Sequence, residues 1–469
     1  MATIRLFKHY LKVPFLLIGA LETFIFVLAL ELTIRLAPIF PYFVVSPQLA
    51  ESPVLHEVIF ALSMLLGMIA IGLYQTRLRD GFAGILLRVV TSFLLGTIIL
   101  SVIFYALEDI FIGRGAMTAA IIISFWGVVI VRWIVYTFEP EIFKRRILIL
   151  GAGKKAKVIT ELRRKVDQFG FTILGFVHLR GETDSVPKER VINLNMPLIE
   201  YVEQHGVDEI VLAIDDRRKG IPMAELLECK MRGIDIIDLI TFFERETGKI
   251  RLDQLHPSWL LFSVGFNQGG LRATVKRGFD LLMSSVLLFF TWPIMLLAAF
   301  AIWLESGFKI GVPIFYKQVR VGEAGRPFQV LKFRSMIVNA EKSGKAQWAT
   351  SNDTRITRVG RVIRKTRIDE LPQIFNVFRG DMSFVGPRPE RPEFVVMLAE
   401  KIPYYAERHR VKPGITGWAQ LLYPYGSSEK DALEKLQYDL YYIKNYSIFL
   451  DFLIMLQTTE VVLFSRGAR

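Results

Sequence analysis

Long apolar runs dominate the first third of the chain, at Val13–Leu36, Val58–Tyr74, Ile85–Leu107 and Ala116–Phe138. Each approaches the ~20 residues a helix needs to cross the hydrocarbon layer, so the pattern predicts four membrane-spanning helices. The first follows Arg5, Lys8 and Lys12. It is too long, and too poor a match to an A-x-A cleavage site, for a removable signal peptide. From Arg145 the texture changes to short strand-like runs, Thr172–Val177 and Glu209–Ile214, alternating with helical patterns at Glu161–Arg164, Leu198–Gln204 and Met223–Met231. That alternation predicts a parallel α/β layer.

A further apolar run, Phe279–Trp303, carries Pro293 near its middle. Proline removes a helix N–H and clashes with the preceding turn, which favours a sharp bend. Lys276 and Arg277 precede this run, and Lys309, Lys317 and Arg320 follow it. Basic residues on both flanks suit a re-entrant helix that dips into the bilayer and returns to the same face; a kinked fifth span is the alternative. Ser447–Ser465 is apolar but short and contains Asp451 and Glu460, which predicts an amphipathic helix lying on the membrane. The expected organisation is therefore a four-helix membrane bundle over residues 1–144 and a Rossmann-like domain over 145–270. A mixed α/β domain over 271–469 follows, with the re-entrant helix at 279–303.

Composition sharpens this picture. Of 469 residues 52% are hydrophobic, and the mean hydropathy is +0.37. The single cysteine, Cys229, excludes a disulfide framework and a cysteine-rich zinc site. The net charge of +13 beside long apolar segments points to an anionic membrane and phosphate-bearing ligands, with no nucleic acid as partner. Basic residues lie at the N-terminus, at Arg77 and Arg79, and at Lys144–Arg146, whereas residues 37–57 carry no Lys or Arg. By the positive-inside rule both ends of the bundle face the cytoplasm. Glu22 and Glu31 lie inside the first apolar run without relay-like spacing, so the bundle is expected to be an anchor.

Candidate chemistry falls in two places. Gly151 and Gly153, with Ala156 after them, follow a strand-like run and open a helix-like one, as in a possible nucleotide loop. The strand that follows ends in Phe176-Val-His178, without the acidic residue that reads a ribose. A degenerate nucleotide fold, used for contacts or regulation, is therefore the favoured reading. The second place is a set of strings after the re-entrant run. They are Gln318-Val-Arg320-Val-Gly322, Val330-Leu-Lys332-Phe-Arg334-Ser-Met336 and Arg364-Lys-Thr-Arg367-Ile-Asp369-Glu370-Leu-Pro-Gln373. Gly380-Asp-Met-Ser-Phe-Val-Gly-Pro387-Arg388-Pro389-Glu390, Arg408-His-Arg-Val-Lys412-Pro-Gly-Ile-Thr-Gly-Trp418-Ala-Gln420 and Gln437-Tyr-Asp439-Leu-Tyr-Tyr442 follow.

Asp369 and Glu370 stand among many cations. Adjacent helix residues point about 100° apart, so the two acids can hold different jobs. Carboxylates and phosphates together suit Mg²⁺ as cofactor, with Asp369 and Glu370 as its candidate ligands. Arginines grip phosphate bidentately, and a carboxylate can attack phosphorus. Arg320, Lys332, Arg334, Arg364, Arg367 and Arg388 are the candidate phosphate- or substrate-binding residues. A solvated helix start is the bland reading of the acid pair alone.

Taken together and in this order, the strings from about Lys276 onward resemble the bacterial sugar transferase family, the monotopic phosphoglycosyl transferases. The four-helix bundle and Rossmann-like domain before them are similar to the family's large subgroup. The resemblance implies transfer of a hexose-1-phosphate from a UDP-sugar to undecaprenyl phosphate at the start of exopolysaccharide, O-antigen or capsule synthesis. Asp369 is then the nucleophile that forms an aspartyl-phosphosugar and releases UMP. Glu370 assists with Mg²⁺ or the acceptor, and Arg364 and Arg388 match phosphate-binding positions. Asp439 matches a recurrent acidic position. Pro293 matches the break of the re-entrant helix, where the family's usual Ser-Pro is Trp292-Pro293 here. The implied location is the bacterial inner membrane, with the catalytic domain on the cytoplasmic face and the bilayer as partner; a homodimer is one expectation for the assembly. A non-catalytic scaffold of polysaccharide assembly is the runner-up; it predicts loss of the acid pair or its arginines, and both are present. A polytopic transferase would need more spans, and a conventional glycosyltransferase an acidic metal motif that residues 145–270 lack.

Overall fold

The computed structural model describes residues 3–463 apart from 7, 41–45, 47, 48, 50, 51, 75–80, 139–143, 161–169, 180, 216–220, 256–269, 307–311, 339–354, 424, 425 and 427. The expected helical run at Glu161–Arg164 and the flanking charges Arg77, Arg79 and Lys309 lie outside the described residues. The chain forms two compact units, Met1–Thr247 and Gly248–Arg469.

The first unit begins with a feature absent from the sequence reading. Strands β1 (Thr3–Leu6) and β2 (His9–Lys12) pair antiparallel just before the first membrane helix. Four long apolar helices follow, α1 (Val13–Leu36), α2 (Pro53–Ala70), α3 (Phe82–Ala106) and α4 (Arg114–Phe138). The second starts at Pro53 rather than Val58, because proline in the first turn forfeits no hydrogen bond and its fixed φ suits a helix. Phe26, Leu30, Phe60, Met64, Phe93 and Leu100 build the bundle core. One charge pair is sealed inside it. Arg132 donates to both carboxylate oxygens of Glu22 at 2.7 and 2.9 Å, and the Tyr74 hydroxyl donates to the same carboxylate at 2.5 Å. Within an apolar bundle such a pair is sustainable because every oxygen has a donor.

The same unit holds the α/β layer. Parallel strands β3 (Arg145–Leu150), β4 (Phe171–Val177), β5 (Val191–Ile192), β6 (Glu209–Leu212) and β7 (Asp235–Asp238) lie in the order β5-β4-β3-β6-β7. This is the doubly wound order, with its reversal point between β3 and β6. Helices α5 (Lys154–Thr160), α6 (Leu198–His205), α7 (Met223–Met231) and α8 (Leu239–Thr247) connect or follow the strands. At the start of β3, Arg145 bridges Glu209 at 2.6 Å and also Glu246. Lys12 of the hairpin meets Glu246 at 3.1 Å. Burial pushes the Glu246 carboxyl up, but Lys12, Arg145 and Arg245 outweigh it and hold the group at about 2.

The second unit opens with α9 (Gly270–Glu305), a helix of 36 residues with Pro293 inside it. At 1.5 Å per residue this length amounts to about 54 Å, well beyond the ~30 Å hydrocarbon layer. Its first half buries Lys276, Asp280 and Ser284, and its second half buries Met295, Ala298 and Ile302. The middle exposes Phe289, Phe290, Trp292, Leu296 and Leu297. The Thr291 hydroxyl donates to the Leu287 carbonyl, a back-bond that bends helices. Strands β8 (Phe315–Val321) and β9 (Pro327–Phe333) form an antiparallel ribbon. The remaining elements are α10 (Arg358–Lys365), a 3-10 turn at Ile368–Gln373, α11 (Ile374–Arg379), β10 (Ser383–Val385), α12 (Pro392–Lys401), β11 (Gly414–Thr416), α13 (Trp418–Leu422), α14 (Glu429–Asn445) and α15 (Ile448–Leu463). In α15 both acids point into the protein, Asp451 fully buried and Glu460 nearly so.

Candidate active site

The acid pair sits where α10 hands over to the 3-10 turn. Thr357 caps α10 by accepting the Gly360 N–H at 2.9 Å. Arg367 then adopts a left-handed conformation (φ 58°), which ends the helix and redirects the chain so that Asp369 and Glu370 enter the protein. Such a conformation in a non-glycine residue costs free energy and tends to persist where geometry is functional.

Ribbon β9 supplies the first cation. Asn376 of α11 accepts the Leu331 N–H at 2.9 Å and donates to the Gln329 carbonyl at 2.7 Å, clamping β9 beside the turn. Lys332 thereby reaches Glu370 Oε1 at 2.8 Å. Arg388 reaches the same oxygen at 2.8 Å. It stands on the Gly386-Pro387-Arg388-Pro389 turn, which lies backbone to backbone against the Lys412-Pro-Gly-Ile-Thr string through the parallel pair β10–β11. A Cβ at Gly386 would sit 2.3 Å from the Lys412 carbonyl oxygen, so only glycine permits this approach.

The two acids differ electrostatically. Burial pushes Glu370 up, but Arg388 and Lys332 outweigh it and hold the carboxyl well below its usual range. Burial, reinforced by the Glu370 charge, pushes Asp369 up to about 6 against the pull of Lys332, Arg364 and Arg388. Among the described residues no hydrogen bond or ion pair ends on the Asp369 carboxylate. The result is a fixed anion beside a second carboxylate that stands unengaged, facing three cations.

The structure brings together Asp369, Glu370, Lys332, Arg364 and Arg388. Other sequence-predicted residues stand further back. Arg320 donates to the Pro389 carbonyl at 3.3 Å and lies 3.6 Å from Glu390, bracing the turn that carries Arg388. Arg334 turns instead to the Pro313 carbonyl (2.7 Å) and the Ser306 hydroxyl. Arg367 contributes its backbone bend. Asp439, 2% exposed, pairs with Arg408 at 2.9 Å, and burial raises its carboxyl to about 6 despite that arginine. Arg408 in turn donates to the Arg388 carbonyl at 3.0 Å. Gly151 and Gly153 belong to the first unit and Pro293 to α9.

Several residues that hold this site carried no role in the sequence reading. Asn376 and Arg408 lie inside or beside the strings but follow no periodicity. Asp280 accepts from the Ser383 hydroxyl and the Phe384 N–H, each at 3.0 Å, and lies 2.9 Å from Lys276. Arg277 donates to the Val377 and Phe378 carbonyls at the end of α11. The first half of α9 thus grips both segments that carry the charged residues.

Residues 271–465 match the bacterial sugar transferase family, and residues 69–221 match a family described as a CoA-binding domain. The chain is 35% identical over 324 residues to a UDP-glucose:undecaprenyl-phosphate glucose-1-phosphate transferase of Klebsiella pneumoniae, covering 67% of each chain. It belongs to the bacterial sugar transferase family. A UDP-N-acetylgalactosamine-undecaprenyl-phosphate N-acetylgalactosaminephosphotransferase of Aeromonas hydrophila is 43% identical over 255 residues, 54% of this chain and 58% of that one. An uncharacterized sugar transferase of Bacillus subtilis matches over 193 residues at 42% identity, which is 41% of this chain but 89% of the relative. The family's shared portion is thus the part that holds the acid pair. Five helices among the described residues are long and apolar enough to cross a membrane, which marks this family member as a membrane protein.

Proposed function

We propose that this chain transfers a hexose-1-phosphate from a UDP-sugar to undecaprenyl phosphate through an aspartyl-phosphosugar, as the first membrane step of a surface polysaccharide. The observation that carries the reading is the division of labour in the acid pair. Glu370 is spent on Lys332 and Arg388, while Asp369 stands unengaged beside cations that suit a diphosphate.

In the first step an Asp369 oxygen bonds to the β-phosphorus of the donor, and the bond from that phosphorus to the bridging oxygen breaks. UMP leaves with the electron pair. In the second step a phosphate oxygen of the acceptor bonds to the same phosphorus and the Asp369–phosphorus bond breaks, restoring the carboxylate. Splitting the transfer in two replaces one difficult encounter of two anions with two easier ones. Arg364 and Arg388 take the donor phosphates bidentately, and Lys332 keeps Glu370 from repelling them.

Mg²⁺ fits this donor set. Among the described residues there is no cluster of three or more His, Cys, Asp or Glu side chains for an all-protein cage. Magnesium commonly binds through one or two carboxylates plus substrate phosphates. Asp369 and the second oxygen of Glu370 would hold it, and it would supply charge neutralisation to the diphosphate.

The seating of α9 supports a re-entrant helix. Asp280 and Lys276 near its start hold β10, while Met295, Ala298 and Ile302 near its end pack with Phe333 and Ile363. A helix whose two ends grip one polar domain cannot leave those ends on opposite faces of a bilayer. The exposed aromatic middle around Pro293 is then the part that dips in. On this proposal the catalytic domain lies on the cytoplasmic face of the inner membrane, the side on which UDP-sugars are found.

The test is a UMP-release assay with undecaprenyl phosphate and a panel of UDP-sugars, coupled to trapping of a phosphosugar on the protein. One UDP-sugar should give both UMP and a trapped adduct at Asp369. An adduct on another residue, or product formed with no adduct, would refute the covalent route.

A further inference from the structure

The doubly wound sheet and its match to a CoA-binding domain imply a nucleotide-type ligand at the Gly151–Gly153 turn. In such folds the diphosphate lies at the helix N-terminus after the first strand, in the crevice at the reversal point of strand order. That crevice is the one between the ends of β3 and β6, and the residues present do not fit the group.

Three backbone donors of the turn that would meet a diphosphate, the N–H groups of Ala152, Lys154 and Lys155, are already taken. Asp215, three residues beyond β6, accepts the Lys154 N–H through Oδ2 and the Lys155 N–H through Oδ1, each at 2.8 Å. Glu182 accepts the Ala152 N–H at 3.3 Å and the Asp215 N–H at 2.8 Å. The Lys155 ammonium folds back to the Ile214 and Asp215 carbonyls at 2.9 and 3.2 Å. The Asp215 carboxylate lies so close that a Cβ at Gly153 would stand 2.2 Å from its Oδ2. Gly153 thus admits an anion close to the backbone, and the anion is the chain's own. At the end of β4, where a ribose-reading acid would stand, His178 pairs instead with Asp184 at 2.8 Å.

We propose that Asp215 replaces the nucleotide diphosphate in this domain, closing the turn to CoA and dinucleotides and making the sheet a ligand-free scaffold. A phosphate entering the same donors would meet two carboxylates already holding the N–H groups of Ala152, Lys154 and Lys155. The role of glycine survives, because a carboxylate needs the same close approach as a phosphate, but the ligand does not. This inference is independent of the transfer chemistry.

Hydrogen exchange of the segment 151–155, measured on the full chain in nanodiscs, tests it. CoA, NAD⁺, UDP and inorganic pyrophosphate should each leave exchange in the wild-type segment unchanged. Asp215→Gly should exchange faster there without ligand. Pyrophosphate at ten times its dissociation constant should then slow that exchange about tenfold. Asp215→Asn, which keeps the side-chain volume, serves if the glycine variant does not fold, and should show the same response in weaker form. Protection of the wild-type segment by any of the four probes would overturn the proposal. So would a folded variant whose exchange ignores pyrophosphate.

Discussion

Arg408 donates to the backbone carbonyl of Arg388 at 3.0 Å, while Asp439 holds that same guanidinium nitrogen at 2.9 Å. Asp439 therefore acts on the acid pair through two intermediaries: it fixes Arg408, Arg408 fixes the turn, and the turn aims Arg388 at Glu370. Asp439→Asn keeps a hydrogen-bond acceptor but loses the charge that orients the arginine. Transfer by this variant should fall about 100-fold, the scale of loss when a small displacement far from the chemistry misplaces a reacting group. UMP release at limiting and saturating donor checks it; an unchanged kcat/KM would show that Asp439 has no positioning role.

The Asp369 carboxyl, pushed up to about 6 chiefly by burial and then by Glu370, must be ionised to attack phosphorus. Below that value it is protonated, so kcat/KM should fall tenfold per pH unit as pH drops beneath about 6. Glu370→Gln removes the negative charge that raises Asp369 and leaves Lys332 and Arg388 acting on it. The acid limb should then move to lower pH even though turnover drops. Asp439→Asn should leave the limb in place, which distinguishes it from the other carboxyl near 6. A limb that follows Asp439 would reassign the titration.

Asp369→Asn should abolish transfer and adduct formation while leaving the chain in the membrane fraction, since among the described residues the side chain makes no bond that holds the fold. Turnover near that of the unmodified chain would remove Asp369 as nucleophile.

Glu22 and Arg132 form a bidentate pair inside the membrane bundle. Arg132→Ala strands the carboxylate, and stability should drop by about 3–5 kcal/mol. Replacing both, Glu22→Leu with Arg132→Met, should recover most of that loss. Thermal unfolding in detergent reads both numbers. Equal destabilisation in the single and double variants would show that packing, not the stranded charge, is responsible.

Asp280→Ala leaves the buried Phe384 N–H without its acceptor, a cost of about 1–3 kcal/mol, while the Ser383 hydroxyl keeps the Val385 carbonyl at 2.9 Å. A lower melting temperature together with reduced transfer is expected. Full activity would show that β10 is held by its other partners.

What the sequence revealed and what it hid divide along physical lines. Four membrane helices, the alternating strands and the helix at Met223–Met231 were legible because apolar period and length are local signals. The Asp369–Glu370 turn was legible because Arg364 and Arg367 stand just before it and Arg388 follows in the next string. The long-range pairs, one inside the membrane bundle and one beside the site, were not. Glu22 finds Arg132 across 110 residues, and Ser383 finds Asp280 across 103. No local periodicity marks such a partner. Alternation alone puts Lys332 and Arg334 on one face, yet β9 ends at Phe333 and only Lys332 reaches Glu370, because Arg334, just past the strand, has the Pro313 carbonyl and the Ser306 hydroxyl within reach. Asp215 was invisible for a related reason: an acid just after a strand resembles any loop residue until its carboxylate is seen on the N–H groups of Lys154 and Lys155. The hairpin Thr3–Lys12 was masked by its own basic residues, which read as a topogenic signal rather than as strands.

The grip of α9 on the strand that leads to Arg388 has a mechanical corollary. With α9 seated as proposed, the depth to which its aromatic middle sinks and the height at which Arg388 waits for a phosphate are a single coordinate. Bilayer thickness thereby becomes a variable of the reaction rate. A thinner or thicker leaflet would tilt one lever arm and move its far end by the same angle, so lipid composition would tune turnover without touching any reacting atom.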